Sequence, residues 1–282
     1  MDSWSFDLFI ALNLCGATAW YAWAVRRVNT AEAGLTKTPL RWPLGASACF
    51  YTGLALLAVT YLGPLAAWSH TFFWVHMSQH LLVMMAAAPL IVLGAPVTLA
   101  FRASSPATRR TWVLPILRSR AVRIMTNPIL TWALFASVLV GTHFTGFYDW
   151  ALANHEADVF IEQPLYLIAA LLYYFPILGS NLQPHRPAPA IRLVSMALMM
   201  VPEALVGAVI YFASVVLYPT FDTDRPFGPD PLSDQQFAGA LMWALVMIVD
   251  SMWMMIVAAE WFSSEERKSR RVDAEIAAEA SS

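Results

Sequence analysis

Residues 71–99 read TFFWVHMSQHLLVMMAAAPLIVLGAPVTL, an apolar run without a charged residue, interrupted near its start by His76 and His80. A helix needs about 20 apolar residues to cross roughly 30 Å of hydrocarbon, and this run supplies more than that. On such a helix two imidazoles four residues apart lie on one face, within reach of one ligand. A polar side chain is costly to bury in a bilayer, so one that stays there usually has a partner and a task.

Composition extends this reading to the whole chain. With 59% hydrophobic and only 13% charged residues over 282 positions, there is far more apolar surface than one soluble core hides. Seven runs are long enough to span: Leu8 to Val25, Leu44 to Leu62, Thr71 to Leu99, Ile129 to Phe144, Val159 to Gly179, Ile191 to Leu217 and Phe237 to Phe262. The fourth is the shortest. The expected fold is an all-α polytopic membrane helix bundle of about seven transmembrane helices. Residues 1–263 read as a single transmembrane domain and 264–282 as a charged cytoplasmic tail, frayed from Ala274 onward. No soluble domain separates the runs.

The basic residues set the expected orientation. Arg26, Arg27, Lys37 and Arg41 lie between runs one and two. Arg102, Arg109, Arg110, Arg118, Arg120 and Arg123 lie between three and four, and Arg186 and Arg192 between five and six. Arg267, Lys268, Arg270 and Arg271 follow run seven, so every Lys and Arg except Arg225 falls on one side. By the positive-inside rule that side is cytoplasmic, the N-terminus is outside and the C-terminus inside, as seven crossings require. The first residues lack a basic n-region, and no small-residue cleavage signal follows, so the first run reads as a retained helix. Trp68, Trp74, Tyr148 and Trp150 are expected at the outer interface, and Trp23, Trp42 and Trp261 at the inner one.

The net charge of −2 gives no reason to invoke nucleic acid, while the basic inner loops favour anionic lipid. The segment Arg102 to Asn127 alternates Arg with Trp112, Val113, Leu114, Ile116 and Leu117, as an interfacial helix does. Cys15 and Cys49, at different depths, read as small packing residues.

Depth then sorts the polar residues. His76 and His80 fall in the outer part of run three, His143 ends run four on the same side, and His70 and His155 lie in outer loops. Asp158 and Glu162 continue from His155 along one helix face. Only His185 is expected on the cytoplasmic side. Imidazole suits copper, zinc and iron, and thioether sulfur shifts preference towards Cu(I). Met77, Met84 and Met85 accompany the histidines, although methionines in a membrane core are mostly packing. Metal ligation and interhelical hydrogen bonding both remain open for the histidines. Glu203 and Asp250 fall near the centres of runs six and seven, where two acids share a proton, bond to a histidine, line a proton or metal path, or form a neutral structural hydrogen bond.

Other classes have less support. A b-type membrane cytochrome would use histidines on neighbouring helices as haem ligands. A proton-coupled ion or copper transporter would give Glu203 and Asp250 a task. A retinal protein is excluded, since the two lysines, Lys37 and Lys268, lie outside the expected helices. Neither His76-Met-Ser-Gln-His80 nor His155-Glu-Ala-Asp-Val159 completes His-Glu-x-x-His. Without a phosphate loop, dinucleotide fingerprint or nucleophile–base pair, an enzyme is the less favoured class.

One resemblance covers almost the whole chain. His76-Met-Ser-Gln-His80-Leu-Leu, followed by Ala87-Ala88-Pro89-Leu90 and Leu93-Gly94-Ala95-Pro96-Val97-Thr98-Leu99, resembles the polytopic CtaG-type family of cytochrome c oxidase assembly factors. Thr142-His143-Phe144, Phe175-Pro176-Ile177-Leu178-Gly179, and Trp243 with Trp261 are further matches. The resemblance implies a multi-pass protein of the bacterial plasma (inner) membrane that helps assemble a haem–copper oxidase. Its implied partners are cytochrome c oxidase subunits and its implied metal is copper, delivered to the catalytic subunit from an outer-side histidine cluster. His76, His80 and His143 match the family's histidine positions; His155, Glu162 and Met77 are secondary candidate ligands. Two departures stand out: Glu203 occupies a place after the run-six proline where family members often carry histidine, and Glu162-Gln163 replaces further histidines in run five. A carboxylate can ligate, but it is harder than imidazole and suits Cu(I) less.

Overall fold

A computed structural model of the chain describes residues 6–33, 41–154, 157–179 and 186–280. Among these residues every regular element is helical and none is a strand. Six helices are long and apolar enough to cross a membrane: Leu8–Ala31, Leu44–Tyr61, Phe73–Ala103, Asp158–Leu178, Pro189–Phe212 and Pro231–Ala274. The fourth run makes a seventh span only as a bent pair, Pro128–His143 and Phe147–Ala153, whose axes turn by 72°. The turn falls where Phe144 leaves helical geometry, just before Gly146. Large apolar side chains such as Phe9, Leu12, Val201, Leu205, Ile248 and Met255 face outward, as they do in a bundle solvated by lipid.

Proline punctuates the helix starts. Pro64, Pro96, Pro106, Pro128, Pro189 and Pro231 each open a helix, where the missing N–H is harmless and the fixed φ is already helical. Inside the third span the helix is interrupted at Ala95, whose φ of 51° is left-handed, and restarts at Pro96. The break is pinned from neighbouring elements. Tyr21 donates from its hydroxyl to the Gly94 carbonyl at 2.8 Å, stacks on Phe50 at 3.9 Å, and accepts from Trp42 Nε1 at 3.0 Å. Gly94 must be glycine here, since a Cβ would lie 2.6 Å from the Phe50 Cβ.

Two π-helical turns interrupt the spans, Leu82–Ala87 in the third and Asp158–Glu162 at the start of the fifth. In the first, Val83, Met84 and Met85 are all buried. The Met85 carbonyl there accepts from Trp253 Nε1 at 2.8 Å, which supplies a donor from the seventh span.

Spans six and seven pack through small residues, the usual device where lipid offers no hydrophobic drive to association. A Cβ on Gly239 would stand 2.5 Å from Tyr211 N and 2.7 Å from Gly207 O.

The two ends of the bundle differ. At one, the starts of spans three, five and seven meet the end of span four and the loop after span six: Asp234 accepts from Phe73 N at 2.9 Å and Trp74 N at 3.0 Å, and Tyr218 donates to the His143 carbonyl at 3.2 Å. Arg225 Nη1 also donates to Asp234, at 2.6 Å. At the other end, Arg192 donates to the Ile177 carbonyl at 2.7 Å and pairs with Glu260 at 3.0 Å, and Arg186 joins Glu260 at 2.9 Å. Arg102 stacks over Trp42 at 5.5 Å on this same end. Short helices at Leu114–Leu117 and Arg120–Met125 follow, with Trp112, Ile116 and Ile124 exposed. The helix of span seven continues without a break through the charged tail to Ala280.

Two belt assignments made from sequence do not hold. Tyr148 and Trp42 are buried, Tyr148 among the histidines and Trp42 against Tyr21, because each hydroxyl or indole N–H finds a partner inside. Trp23 and Trp150 are exposed, as a belt requires. Cys15 and Cys49 are free thiols.

Candidate metal centre

His76 and His80 sit one turn apart in the helix Phe73–Leu81 that opens span three, which the Asp234 carboxylate caps. Their rings converge: His80 Nε2 lies 2.8 Å from His76 Nε2. The π turn Asp158–Glu162 brings the Glu162 carboxylate to the same point, with Oε1 3.3 Å from His76 Nε2 and 3.2 Å from His80 Nε2. All three residues are buried and their donor atoms lie within 4.8 Å of one another. Neither Glu162 oxygen has a hydrogen bond of good geometry, although both are shielded from solvent.

This donor set fits a cation. Ligand bonds of about 2.1 Å to imidazole nitrogen and carboxylate oxygen, at tetrahedral angles, put donors about 3.4 Å apart. The two imidazole–carboxylate separations of 3.3 and 3.2 Å come close to that, and the 2.8 Å between the imidazole nitrogens must open by about 0.6 Å to admit an ion. Two imidazoles and one carboxylate leave a fourth position open, the mark of a site that exchanges ligands. Without an ion, one imidazole must donate to the other across the short Nε2–Nε2 contact.

The walls are aromatic. His80 packs against Tyr166 at 4.2 Å between ring centroids, and His76 lies 5.4 Å from Tyr148. Tyr166 donates to Thr142 Oγ1, and its oxygen lies 2.9 Å from the Tyr148 hydroxyl. His143 belongs to this wall. Its Nδ1 lies 2.7 Å from the Leu139 carbonyl and its Nε2 3.2 Å from the Tyr148 hydroxyl, so both ring nitrogens already have partners. Met77 is buried beside the pair, and His155 lies outside the described residues.

A second pair stands at the mouth, where His70 of the loop before span three meets the first residue of the fifth span. His70 Nε2 is 3.4 Å from Asp158 Oδ2, and this hydrogen bond holds the His70 pKa above its ordinary value of 6.5, against the opposing effect of partial burial. Asp158 starts the π turn that ends at Glu162, so the His70–Asp158 pair and the buried cluster share one element.

Deeper in the membrane, Glu203 and Asp250 hydrogen-bond to each other, and Tyr174 donates to Asp250 Oδ1 at 3.2 Å. Both acids are buried, and Glu203 Oε2 has no partner. A small cavity of about 30 Å³ reaches from His80 and His143 to Glu203. It has room for one or two waters, and leaves no space for a porphyrin between those histidines.

Sequence spacing marked His76, His80 and Glu162 but gave no sign that they meet. Asp234 and Arg225, which fix the helix that carries the histidines, carried no sequence signal beyond their charge.

Fold and site together define a multi-span helical membrane protein with a buried His–His–carboxylate group. The chain belongs to the cytochrome c oxidase caa3 assembly factor family (Caa3_CtaG), whose family model matches residues 19–264. It is 27% identical to Uncharacterized protein Mb0105 of Mycobacterium bovis over 96% of its own length. Uncharacterized protein ML1998 of Mycobacterium leprae is 25% identical over the same share. The chain spans 41% of the length of these curated relatives. No solved structure matches it.

Proposed function

We propose that this protein assists assembly of a haem–copper cytochrome c oxidase by holding copper between His76, His80 and Glu162 and passing it laterally to an oxidase subunit. The observation that carries the reading is the convergence of two imidazole nitrogens and an orphaned carboxylate at one buried point. Family membership supplies the client, an oxidase whose own copper must be inserted in the membrane. The role is delivery, not catalysis. On this reading the site faces the outer side of the bacterial plasma membrane, opposite the Arg-rich end, and His143 and Tyr148 hold the aromatic wall in place.

Transfer requires an ion bound without closure. Three donors from two helices satisfy that, since an incoming ligand from the client takes the fourth position before the first donor leaves. The test is a strain carrying H76A/H80A, with oxidase copper measured by mass spectrometry on the purified enzyme. The variant is expected to insert normally into the membrane while oxidase copper falls severalfold. Fully copper-loaded, active oxidase in that strain overturns the reading.

A further inference from the structure

We infer that the protein carries a second cation site, sulfur-rich and one helical turn deeper: the cavity lined by Met77, Met84, Met85 and Met242, between His80 and Glu203, takes a single soft monovalent ion, Cu(I). In naming copper it rests on the reading proposed above, but it stands on different residues.

Three observations carry it. The first is a void where close packing is the rule. Membrane interiors, like soluble cores, leave few gaps as large as a water. Here a volume of about 30 Å³ is ringed by four buried methionines, enough for one ion and too little for an organic ligand. Met84 and Met85 are adjacent in sequence yet both turn inward, because the π turn Leu82–Ala87 widens the helix at that point.

The second is a carboxylate oxygen without a partner. Glu203 is only 3% exposed and lines the cavity, and its Oε2 has no hydrogen bond. An unpaired buried acceptor of this kind is costly unless something cationic or a donor meets it.

The third is the softness of the donors. Thioethers select Cu(I) among the common metals, whereas the His76–His80–Glu162 group, with two nitrogens and an oxygen, suits harder ions such as Zn(II) or Cu(II). The chain therefore holds two stacked sites that differ in softness. His80 joins them: its Nε2 faces Glu162 and its ring lines the cavity below.

The full-length protein in detergent tests this. Cu(I) affinity is measured by competition with a chromophoric Cu(I) chelator, and Zn(II) affinity by calorimetry, for wild type and for M84L/M85L/M242L. Leucine for methionine nearly conserves volume and is among the best tolerated core exchanges. The expected result is at least a tenfold loss of Cu(I) affinity with Zn(II) affinity unchanged. Should the triple variant fail to fold, copper-edge X-ray absorption on Cu(I)-loaded wild type decides, with copper–sulfur scattering expected. Unchanged Cu(I) affinity in a folded variant, or scattering from nitrogen and oxygen alone, overturns the second site. The outcomes separate the two readings: H76A/H80A with normal oxidase copper removes the delivery role and leaves sulfur-bound Cu(I) intact as a finding.

Discussion

Glu162 has no exposed surface, no hydrogen-bond donor on either oxygen, and two imidazole nitrogens within 3.3 Å. Its replacement by glutamine separates structure from binding. The amide fills the same volume and its N–H₂ can donate to an imidazole nitrogen, so E162Q is expected to keep or gain thermal stability. The same change removes the anion that a cation needs in a low-dielectric site, so Zn(II) affinity is expected to fall at least tenfold, about 1.4 kcal/mol, by calorimetry. Equal affinity in E162Q and wild type would remove Glu162 from the ligand set. At the mouth, the Asp158 hydrogen bond raises the His70 pKa on folding. The stabilisation from that pair is therefore complete below about 6.5, the unfolded value, and is lost as pH rises through the folded one. Wild type is expected to melt at a lower temperature at pH ~8 than at pH ~5.5, and H70Q to show a smaller difference. The sequence disclosed this site in part. An i, i+4 histidine pair in an apolar run is visible without a structure, and so is Glu162 on a helical face. The commitment of both His143 nitrogens is not, because Tyr148 reaches it across a helix bend that no periodicity encodes, while the Leu139 carbonyl one turn back holds the other nitrogen.

Among the elements, the spans were legible as apolar runs because a bilayer sets the length each run must reach. The π turns were not. Leu82–Ala87 has the same apolar character as the α-helix around it, and the two acids of Asp158–Glu162 do not by themselves mark a wider turn; the contacts to Trp253 and to the histidines appear only in the fold. The Gly207–Gly239 contact is likewise invisible in sequence. Alanine favours a helix interior over glycine by about 1 kcal/mol, so G239A would stabilise an isolated helix. Here the new Cβ meets backbone 2.5 Å away on Tyr211, which cannot yield without parting the helices. Overpacking of this kind costs about 1–3 kcal/mol, and G239A is expected to be net destabilising in a thermal melt. Asp234 acts on the neighbouring element. It caps the histidine helix with two backbone N–H bonds and pairs with buried Arg225. D234A leaves that guanidinium buried and unpaired, which costs about 3–5 kcal/mol; a loss of Zn(II) affinity together with stability is expected, whereas E162Q loses affinity alone.

For the whole molecule, hydrogen bonds rather than hydropathy establish that successive spans alternate. The starts of spans three and seven are joined by Asp234, and the fifth is tied to the third by Glu162. The end of span four and the loop after span six meet at the same place through Tyr218 and His143. The opposite end holds Arg102, Arg186 and Arg192. Among the described residues, the one Lys or Arg joined to the histidine end, Arg225, is only 5% exposed and spent on Asp234, so it offers no free charge to an anionic surface. The positive-inside rule then predicts that the histidine end lies outside. Delivery of copper from the outer side depends on that placement, and cysteine labelling in intact cells checks it. In a C15S/C49A background, exposed Asp224 and Lys268 are changed one at a time to cysteine and treated with a membrane-impermeant maleimide. D224C is expected to react in intact cells and K268C only after lysis. The reverse pattern would put His76, His80 and Glu162 on the cytoplasmic side, and copper would then have to reach the oxidase from within the cell.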